Sequence, residues 1–456
     1  MLGFIIGLAV TLAAAWLIIK KFQAHTVLLL AGMLLLALTL VVQPETSILY
    51  KKSESTGLSL LDIFDYFSDN LAGRIAGLGL IIMSAGGFAK YMNHIGATDA
   101  MVNMAIRPLG RLKAPYLVLA LGYVVGQVLN IFIPSASGLA MLLLGTFFPT
   151  LVRLGVSPAA AATMIGMTSV LDLGPGSANA NLAATTADLD VAIYFSQYQV
   201  PTALVTIPVI AILTYFTARY FDKRAGHVAE QEANANASTA EKVDVPAFYA
   251  LLPLVPLTFI LIFSKLLISW ISVSVVTAMF MGALLGLVCE FFRKGDPRQV
   301  SKDFMAFFDG MGGMFSRIVS LVVCAEVFAA GLTTIGMVGF MIDLAQGAGF
   351  GLTAMTVLMC ILVILVTIVT GSGNAAFFSF GHMAPALAGG LGASPVLMLL
   401  PMQLIAGLGR SLSPVAGVII AVSDAGQCSP MEIVRRGAIP LAGGIVAVML
   451  SAVIFT

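Results

Sequence analysis

Short polar residues interrupt apolar stretches of the sequence at four places. The interruptions are Ser135–Gly138, Gly174–Asn181, Thr370–Asn374 and Gly409–Pro414. Gly lets a backbone approach a ligand closely, and Ser and Asn supply donors and acceptors without filling a cavity. A helix that restarts at such a point offers N–H groups to an anion, and unwound carbonyls can hold a cation. Small residues also serve helix packing, but four matching interruptions favour one polar binding site.

Arg410 lies within the last interruption and indicates the charge of the expected ligand. An arginine at the centre of a membrane helix costs at least about 2.5–3.5 kcal/mol on insertion scales unless it is paired. A carboxylate is its natural partner, because the two groups form charge-assisted hydrogen bonds. The sequence leaves two partners open, a carboxylate of the substrate and Asp172, which precedes the second interruption.

The candidate residues form two sets. Substrate contacts are expected from Ser135, Ser137, Gly138, Ser177, Asn179, Ser372, Gly373, Asn374, Arg410, Ser411 and Ser413. Coupling to Na⁺ or to a proton is expected at Asp172, Asn181, Thr370 or His382, with Na⁺ near Gly138 and Asn374. His382 could instead be a hydrogen-bonded residue of a helix interface, and Glu326 is expected to be a satisfied packing carboxylate rather than a proton carrier. We predict no cofactor.

Composition places the interruptions in a membrane. The 456 residues are 59% hydrophobic and 10% charged, against roughly 45–50% apolar and 25% charged in soluble domains. A net charge of +1 provides no basic field for nucleic acid. The four cysteines are far apart and are predicted to be packing residues. The four histidines lie on separate elements and no nucleophile–base pair is present, so an enzyme is not expected.

Hydropathy predicts an all-α polytopic membrane protein with about ten transmembrane helices and two re-entrant helical hairpins. The predicted spans lie near 1–20, 25–42, 74–93, 158–184, 195–222, 247–264, 268–292, 313–333, 396–421 and 433–455. The hairpins are 114–153 and 350–390, and the spans 158–184 and 396–421 are broken helices. A polar linker, 223–245, separates a first half, 1–222, from a second half, 246–456. The N-terminal span lacks a preceding basic region and is predicted to be a retained helix rather than a signal peptide.

The two halves repeat one another. Phe88–Gly96 returns as Phe328–Gly336, 240 residues later, and Leu154–Pro158 returns as Leu391–Pro395. Lys and Arg concentrate in loops on one side of this topology, which the positive-inside rule makes cytoplasmic. The halves are therefore predicted to be inverted, with the linker in the cytoplasm and both termini in the periplasm. Paired interruptions in inverted halves are typical of secondary transporters.

Three stretches resemble the anaerobic C4-dicarboxylate carriers of the DcuC type. They are Tyr91–Gly96, Thr370–Phe378 and Gly407–Ala421. The resemblance covers almost the whole chain and implies the ion transporter superfamily. It therefore implies a scaffold domain, a mobile transport domain with two re-entrant hairpins, an elevator mechanism and a homodimer. It also implies succinate, fumarate and malate as substrates in a bacterial inner membrane. Gly174–Asn181 departs from the Pro-Thr-Ser-Gly-Asp type of stretch found there.

Two other functions fit part of the pattern. A carrier of the same fold for another carboxylate anion, such as citrate, would contain the same repeats. An anion channel would need a continuous polar path, whereas this chain concentrates its polar residues at four short interruptions.

Overall fold

The computed structural model describes residues 2–454 except 45, 47, 50–52, 228–244, 265–266, 269, 272 and 348–350. Every regular element in this described part is helical, and none of its residues lies in a β-strand. The predicted all-α class is confirmed. The predicted linker 223–245 falls largely outside the described residues.

Ten helices follow one another in the first half of the chain. They are α1 (Leu2–Ile19), α2 (Ala24–Val42), α3 (Ser59–His94), α4 (Ala97–Ile106), α5 (Pro115–Phe132), α6 (Ala136–Thr146), α7 (Phe148–Arg153), α8 (Pro158–Met167), α9 (Ala178–Thr186) and α10 (Val191–Arg224).

Ten helices in the same order make up the second half. They are α11 (Ala247–Ile262), α12 (Val275–Lys294), α13 (Pro297–Thr334), α14 (Met337–Gly347), α15 (Leu352–Thr370), α16 (Gly373–Gly381), α17 (Ala384–Gly390), α18 (Val396–Ser411), α19 (Gly417–Ala425) and α20 (Pro430–Ile454). Local irregularities also recur, because α3 contains a π-helical segment, Ile75–Gly79, and α13 contains one at Phe315–Val319.

Nine of the described helices are long and apolar enough to cross a membrane. They are α1, α2, α3, α5, α10, α12, α13, α15 and α20. The count differs from the predicted set because each broken span divides into two short helices and α11 is itself short. Conversely, the hairpin arms α5 and α15 are long enough to be counted.

The lengths of α3 and α13 correct the hydropathy analysis, which started these helices at residues 74 and 313. Both helices begin about 15 residues earlier, at Ser59 and Pro297. The additional turns carry charged residues, so their hydropathy is too low for a predicted membrane span. Asp62 in α3 is nevertheless buried. Its carboxylate is satisfied there by hydrogen bonds from Ser55 and Thr56.

The helices pack in two groups. The framework group contains α1–α4 and α11–α14, with α3 against α13, α2 against α13 and α3 against α12. The hairpin group contains α5–α10 and α15–α20, with α10 against α20, α15 against α18 and α8 against α19 and α20. Within the hairpin group, α8, α9 and α18 are buried on nearly all sides. Helices that are buried on nearly all sides lie at the centre of a bundle, so the predicted broken helices form its core.

The chain reverses at both predicted hairpin tips. After α5, the segment Ile133–Ser135 turns the backbone and Phe147 packs back against Gly122. After α15, Gly371 adopts a left-handed conformation (φ 73°) and Ser372 caps α16. Hydroxyl caps also start α6 at Ser135 and α9 at Ser177, which explains why Ser occupies these tips and breaks.

Candidate binding site

The breaks in the two long core helices lie against one another. The first break is 168–177, between α8 and α9, and the second is 412–416, between α18 and α19. A Cβ added to Gly407 would lie 2.0 Å from the carbonyl oxygen of Val170, so only glycine permits this approach of α18 to the first break. The predicted breaks were wrong in extent: the first begins earlier, and Gly409–Ser411 remain in the last turn of α18.

Gln403 on α18 holds the backbone of the first break. Its Nε2 donates to the carbonyl oxygens of Leu171 and Asp172, at 3.3 and 3.0 Å. Its Oε1 accepts from Tyr194 Oη at 2.9 Å and from Gln199 Nε2 at 2.8 Å. All three polar side chains are fully buried. Unwound backbone at this depth must find such partners inside the protein.

Asp172 occupies an unusual backbone position within the first break. Its φ is +49°, in the left-handed region that side chains other than Gly rarely adopt. Its Oδ2 accepts a hydrogen bond of 2.7 Å from Asn179 Nδ2. The same Nδ2 donates to Asn374 Oδ1 at 3.0 Å. The second half-helix, α9, is thereby joined both to the first break and to the tip of the second hairpin.

Arg410 joins the second core helix to the first break. Its Nη2 donates to the carbonyl oxygen of Ser169 at 2.6 Å and approaches Ser169 Oγ at 3.2 Å. Its Nε is buried without a hydrogen-bond partner among the described residues. Asp172 interacts with Arg410 electrostatically, but the described residues contain no carboxylate within 4.0 Å of the guanidinium. Arg410 is therefore a positive charge that the described residues do not fully pair.

The two hairpin tips lie beside the two breaks. A Cβ at Gly373 would lie 2.5 Å from the carbonyl oxygen of Ala406, and one at Gly371 would lie 2.9 Å from the Ala416 nitrogen. In the first hairpin, Pro134 lies against Gly176. Helix α6 packs on α19 and helix α16 packs on α9, so each hairpin contacts the broken helix of the other half.

Several predicted site residues stabilise the local backbone. The hydroxyls of Ser411 and Ser413 donate to the carbonyl oxygens of Gly166 and Ile368. Asn181 donates to the carbonyl oxygens of Pro175 and Ser177. Thr370 donates to the Val366 carbonyl oxygen. These side chains shape the tips and breaks.

The tip of the first hairpin is separate from the group formed by Asp172, Asn179, Asn374 and Arg410. Ser135 and Ser137 are exposed, and Ser135 caps Gly138. No hydrogen bond in the described part of the chain joins these residues to Asp172, Asn179, Asn374 or Arg410. His382 also lies elsewhere, at the end of α16, which packs on framework helix α13.

The sequence analysis missed Ser169, Gln403, Gln199 and Tyr194. Glutamines inside apolar spans were a usable signal, because a polar side chain in a membrane helix needs a partner. Gln127 and Asn130 in α5 belong to the same class, and both are fully buried in front of the first tip. Ser169 carried no such signal, since a lone serine is common in helix contacts.

The arrangement is suited to binding an anion. Four short helices, α6, α9, α16 and α19, begin at the tips and breaks, and the N-terminus of a helix carries a partial positive charge. Arg410 adds a full positive charge beside two of these helices. The oxygen atoms of Asp172, Asn179 and Asn374 are the kind of ligands that a hard cation such as Na⁺ uses.

Comparison with known proteins identifies relatives along the full chain. A family model described as C4-dicarboxylate anaerobic carrier (DcuC) matches residues 2–456. The probable anaerobic C4-dicarboxylate transporter DcuC of Vibrio cholerae is 34% identical over 455 residues, which are 100% of this chain and 98% of that protein. The anaerobic C4-dicarboxylate transporter DcuC of Escherichia coli K12 is 35% identical over 99% of this chain and 97% of that protein.

Two solved structures share the fold at low sequence identity. The Alcanivorax borkumensis YdaH transporter has a TM-score of 0.60 and 16% identity, covering 94% of this chain and 98% of that one. Neisseria gonorrhoeae MtrF has a TM-score of 0.58 and 12% identity, covering 95% of each chain. With its apolar helices and its full-length relatives, the protein is a multi-pass inner-membrane transporter and not an enzyme. The chain belongs to the DcuC family of anaerobic C4-dicarboxylate carriers.

Proposed function

We propose that this transporter carries C4-dicarboxylates such as succinate, fumarate and malate, and that it does so by an elevator movement. The incompletely paired guanidinium of Arg410 is the observation that carries the substrate assignment. A buried dianion requires compensating positive charge or dipoles. Arg410 and the N-termini of the short helices supply both at the junction of the breaks and the second hairpin.

One substrate carboxylate binds Arg410, at the Nε edge, where no described residue makes a hydrogen bond. The second carboxylate binds the N–H groups and hydroxyls at the tip of the second hairpin, near Ser372 and Asn374. In this arrangement Asp172 is held by Asn179, so it limits the excess positive charge without occupying the place of the substrate. The substrate, and not Asp172, is then the main anionic partner of Arg410.

The elevator proposal is supported by the packing of the two groups. The recurring order of ten helices supports a repeat of the two halves, which we propose to be inverted. Each hairpin, α5–α7 or α15–α17, would then enter and leave the membrane on the same side. The halves are not packed equally, since α16 contacts framework helix α13 extensively whereas the contact of α6 with α3 is not extensive among the described residues. An alternating mechanism would exchange these two environments. The framework group is then the scaffold domain and the hairpin group is the transport domain.

Three further features remain proposals. Coupling to Na⁺ or a proton is supported by the acid and amide oxygens around Asp172. Homodimer formation and periplasmic termini rest on the family resemblance and on the distribution of Lys and Arg. Fusion of a periplasm-specific reporter enzyme to the C-terminus tests the orientation, and light scattering in detergent tests the dimer.

The deciding experiment is uptake of labelled succinate into proteoliposomes. The Arg410→Ala variant should lose at least about a hundredfold in rate, because one truncated partner of a desolvated charge pair costs roughly 3–5 kcal/mol. Arg153→Ala, which removes an exposed arginine at the end of α7, is the matched control and should transport normally. Wild-type rates in Arg410→Ala would remove this residue from the site.

Competition by other anions tests the substrate class in the same assay. Unlabelled fumarate and malate should inhibit succinate uptake, and citrate should not. Stronger inhibition by citrate would favour a carrier for tricarboxylates, and uptake that does not saturate would favour a channel.

A further inference from the structure

A charged cluster lies at the contact between the second hairpin and the framework group, away from Arg410. Arg74, at the start of the π-helical segment of α3, forms a bidentate ion pair with Glu326 of α13. Both side chains are largely buried, at 18% and 13% exposure. His382, at the end of α16, interacts electrostatically with both of them. These are the charged groups of the described residues that act on its ring, although α9, α13, α15 and α18 all pack on α16.

The hydrogen bonds of His382 define its neutral form. Its Nδ1 lies 2.8 Å from the carbonyl oxygen of Phe378, which can only accept, so Nδ1 carries the proton. The Nε2 atom is buried and has no hydrogen-bond partner among the described residues. In the neutral ring this atom therefore has a lone pair that none of the described residues uses. It can accept a proton without breaking an existing hydrogen bond.

Comparison of the two halves shows that the fold does not require these charges. With the offset of 240 residues, Arg74 corresponds to Met314 and Glu326 corresponds to Gly86. In the structure the Met314 side chain lies directly over Gly86, so that an added Cβ would meet Met314 Cγ at 2.1 Å. Both pairs join α3 to α13, and equivalent positions of this contact are thus occupied once by an ion pair and once by an apolar pair. In the hairpins, Pro149 corresponds to Pro385, an offset of 236 residues that pairs His382 with Thr146.

We propose that His382 and Glu326 form a proton-binding site that couples transport to proton movement. A proton binds Nε2, and the resulting imidazolium is stabilised by the Glu326 carboxylate in competition with Arg74. Burial opposes this charge, so its stability depends on the distance to Glu326. If the hairpin group moves against the framework, as the proposed function requires, His382 leaves Glu326 and releases the proton. Proton binding and the position of the hairpin are then linked.

The transport test separates coupling from substrate binding. In proteoliposomes, wild type should exchange succinate in counterflow and should also accumulate it when a pH gradient is imposed. His382→Asn keeps an amide donor for the Phe378 carbonyl but cannot titrate. It should retain counterflow and lose the accumulation that the pH gradient drives. Accumulation at the wild-type level in this variant overturns the proposal, as does an equal loss of both activities, which would indicate a structural role.

A second measurement does not depend on transport. One histidine ring signal in the NMR spectrum of the detergent-solubilised protein should titrate with pH and be absent in His382→Asn. Replacing Glu326 alone would remove the ion-pair partner of a largely buried arginine, so the informative variant is Arg74→Met with Glu326→Gly, which copies the Met314–Gly86 contact. In it the titration should move to lower pH and the response to the pH gradient should disappear.

An unchanged titration in the double variant, or no titration in wild type, overturns the proton site. If wild type shows no succinate counterflow while the His382 signal titrates as expected, the proposed substrate is wrong and the proton site stands.

Discussion

At the level of single residues, Asp172 combines a hydrogen-bonded carboxylate with a costly backbone conformation. Its left-handed φ of +49° places it where Gly or Asn would be easier to accommodate. The carboxylate accepts from Asn179, and its own carbonyl oxygen accepts from Gln403. Neighbouring Gly174 has φ of +93° in the same break. The first break therefore stores strain that the surrounding hydrogen bonds hold in place.

Two substitutions of Asp172 by small residues should separate the effect of the backbone conformation on stability from the effect of the side chain. Asp172→Gly and Asp172→Ala remove the same carboxylate, but Ala retains a Cβ that opposes the left-handed conformation. We expect Asp172→Ala to be less stable than Asp172→Gly by roughly 1–2 kcal/mol, seen as a lower Tm in detergent. Equal Tm values for the two variants would show that the break relaxes and that the strain is not retained.

At the level of elements, the close contact of α18 with the first break depends on Gly407. The Val170 carbonyl oxygen lies where a side chain would begin, and α18 is buried on almost every side, so it cannot shift to make room. Gly407→Ala should separate the breaks, lower the yield of folded protein and abolish transport. Gly417→Ala at the start of α19, where nothing lies within 4 Å of an added Cβ, is the matched control. Normal folding and transport of Gly407→Ala would contradict the observed contact.

The elements were predictable from sequence where polar residues interrupt apolar runs. Ser372 and Gly371 predict the second tip, and both hairpins lie within the predicted ranges. The extent of the breaks was not predictable. Thr168–Leu173 unwinds although its sequence is compatible with a helix, and Gly409 stays helical because it packs closely on Ile364 and Thr367. Both outcomes depend on tertiary contacts between the halves, which no local pattern encodes.

Polar partners across the chain were equally hidden from sequence analysis. Gln403 and Leu171 are more than 200 residues apart, and their hydrogen bond exists only because α18 crosses the first break. Glu326 was correctly expected to be a satisfied carboxylate, yet its partner, Arg74, lies 252 residues away. Burial of polar groups can be read from hydropathy, whereas the identity of the partner requires the fold.

At the level of the whole molecule, the two halves have the same helices and different contacts. Each half contributes four helices to the framework group and six to the hairpin group. Helix α16 rests on α13, but the equivalent contact between α6 and α3 is not extensive in the described part of the chain. If the halves are inverted repeats, as proposed, they can exchange their environments at little cost in free energy. This is the property that an elevator mechanism needs, because both end states must be populated.

The elevator proposal predicts that fixing the second hairpin to the framework stops transport. Leu332 on α13 and Phe380 on α16 line one apolar cavity between the groups. In a background without the four native cysteines, the pair Leu332→Cys and Phe380→Cys should be joined by a short bifunctional thiol reagent. The cross-linked protein should lose succinate exchange and recover it when the link is cleaved. A control pair within the hairpin group, Met167→Cys and Gly437→Cys, lies in direct contact between α8 and α20. Because both members of the control move together, its cross-link should leave exchange intact. Undiminished exchange through a protein whose second hairpin is covalently held to α13 would contradict movement of the hairpin group.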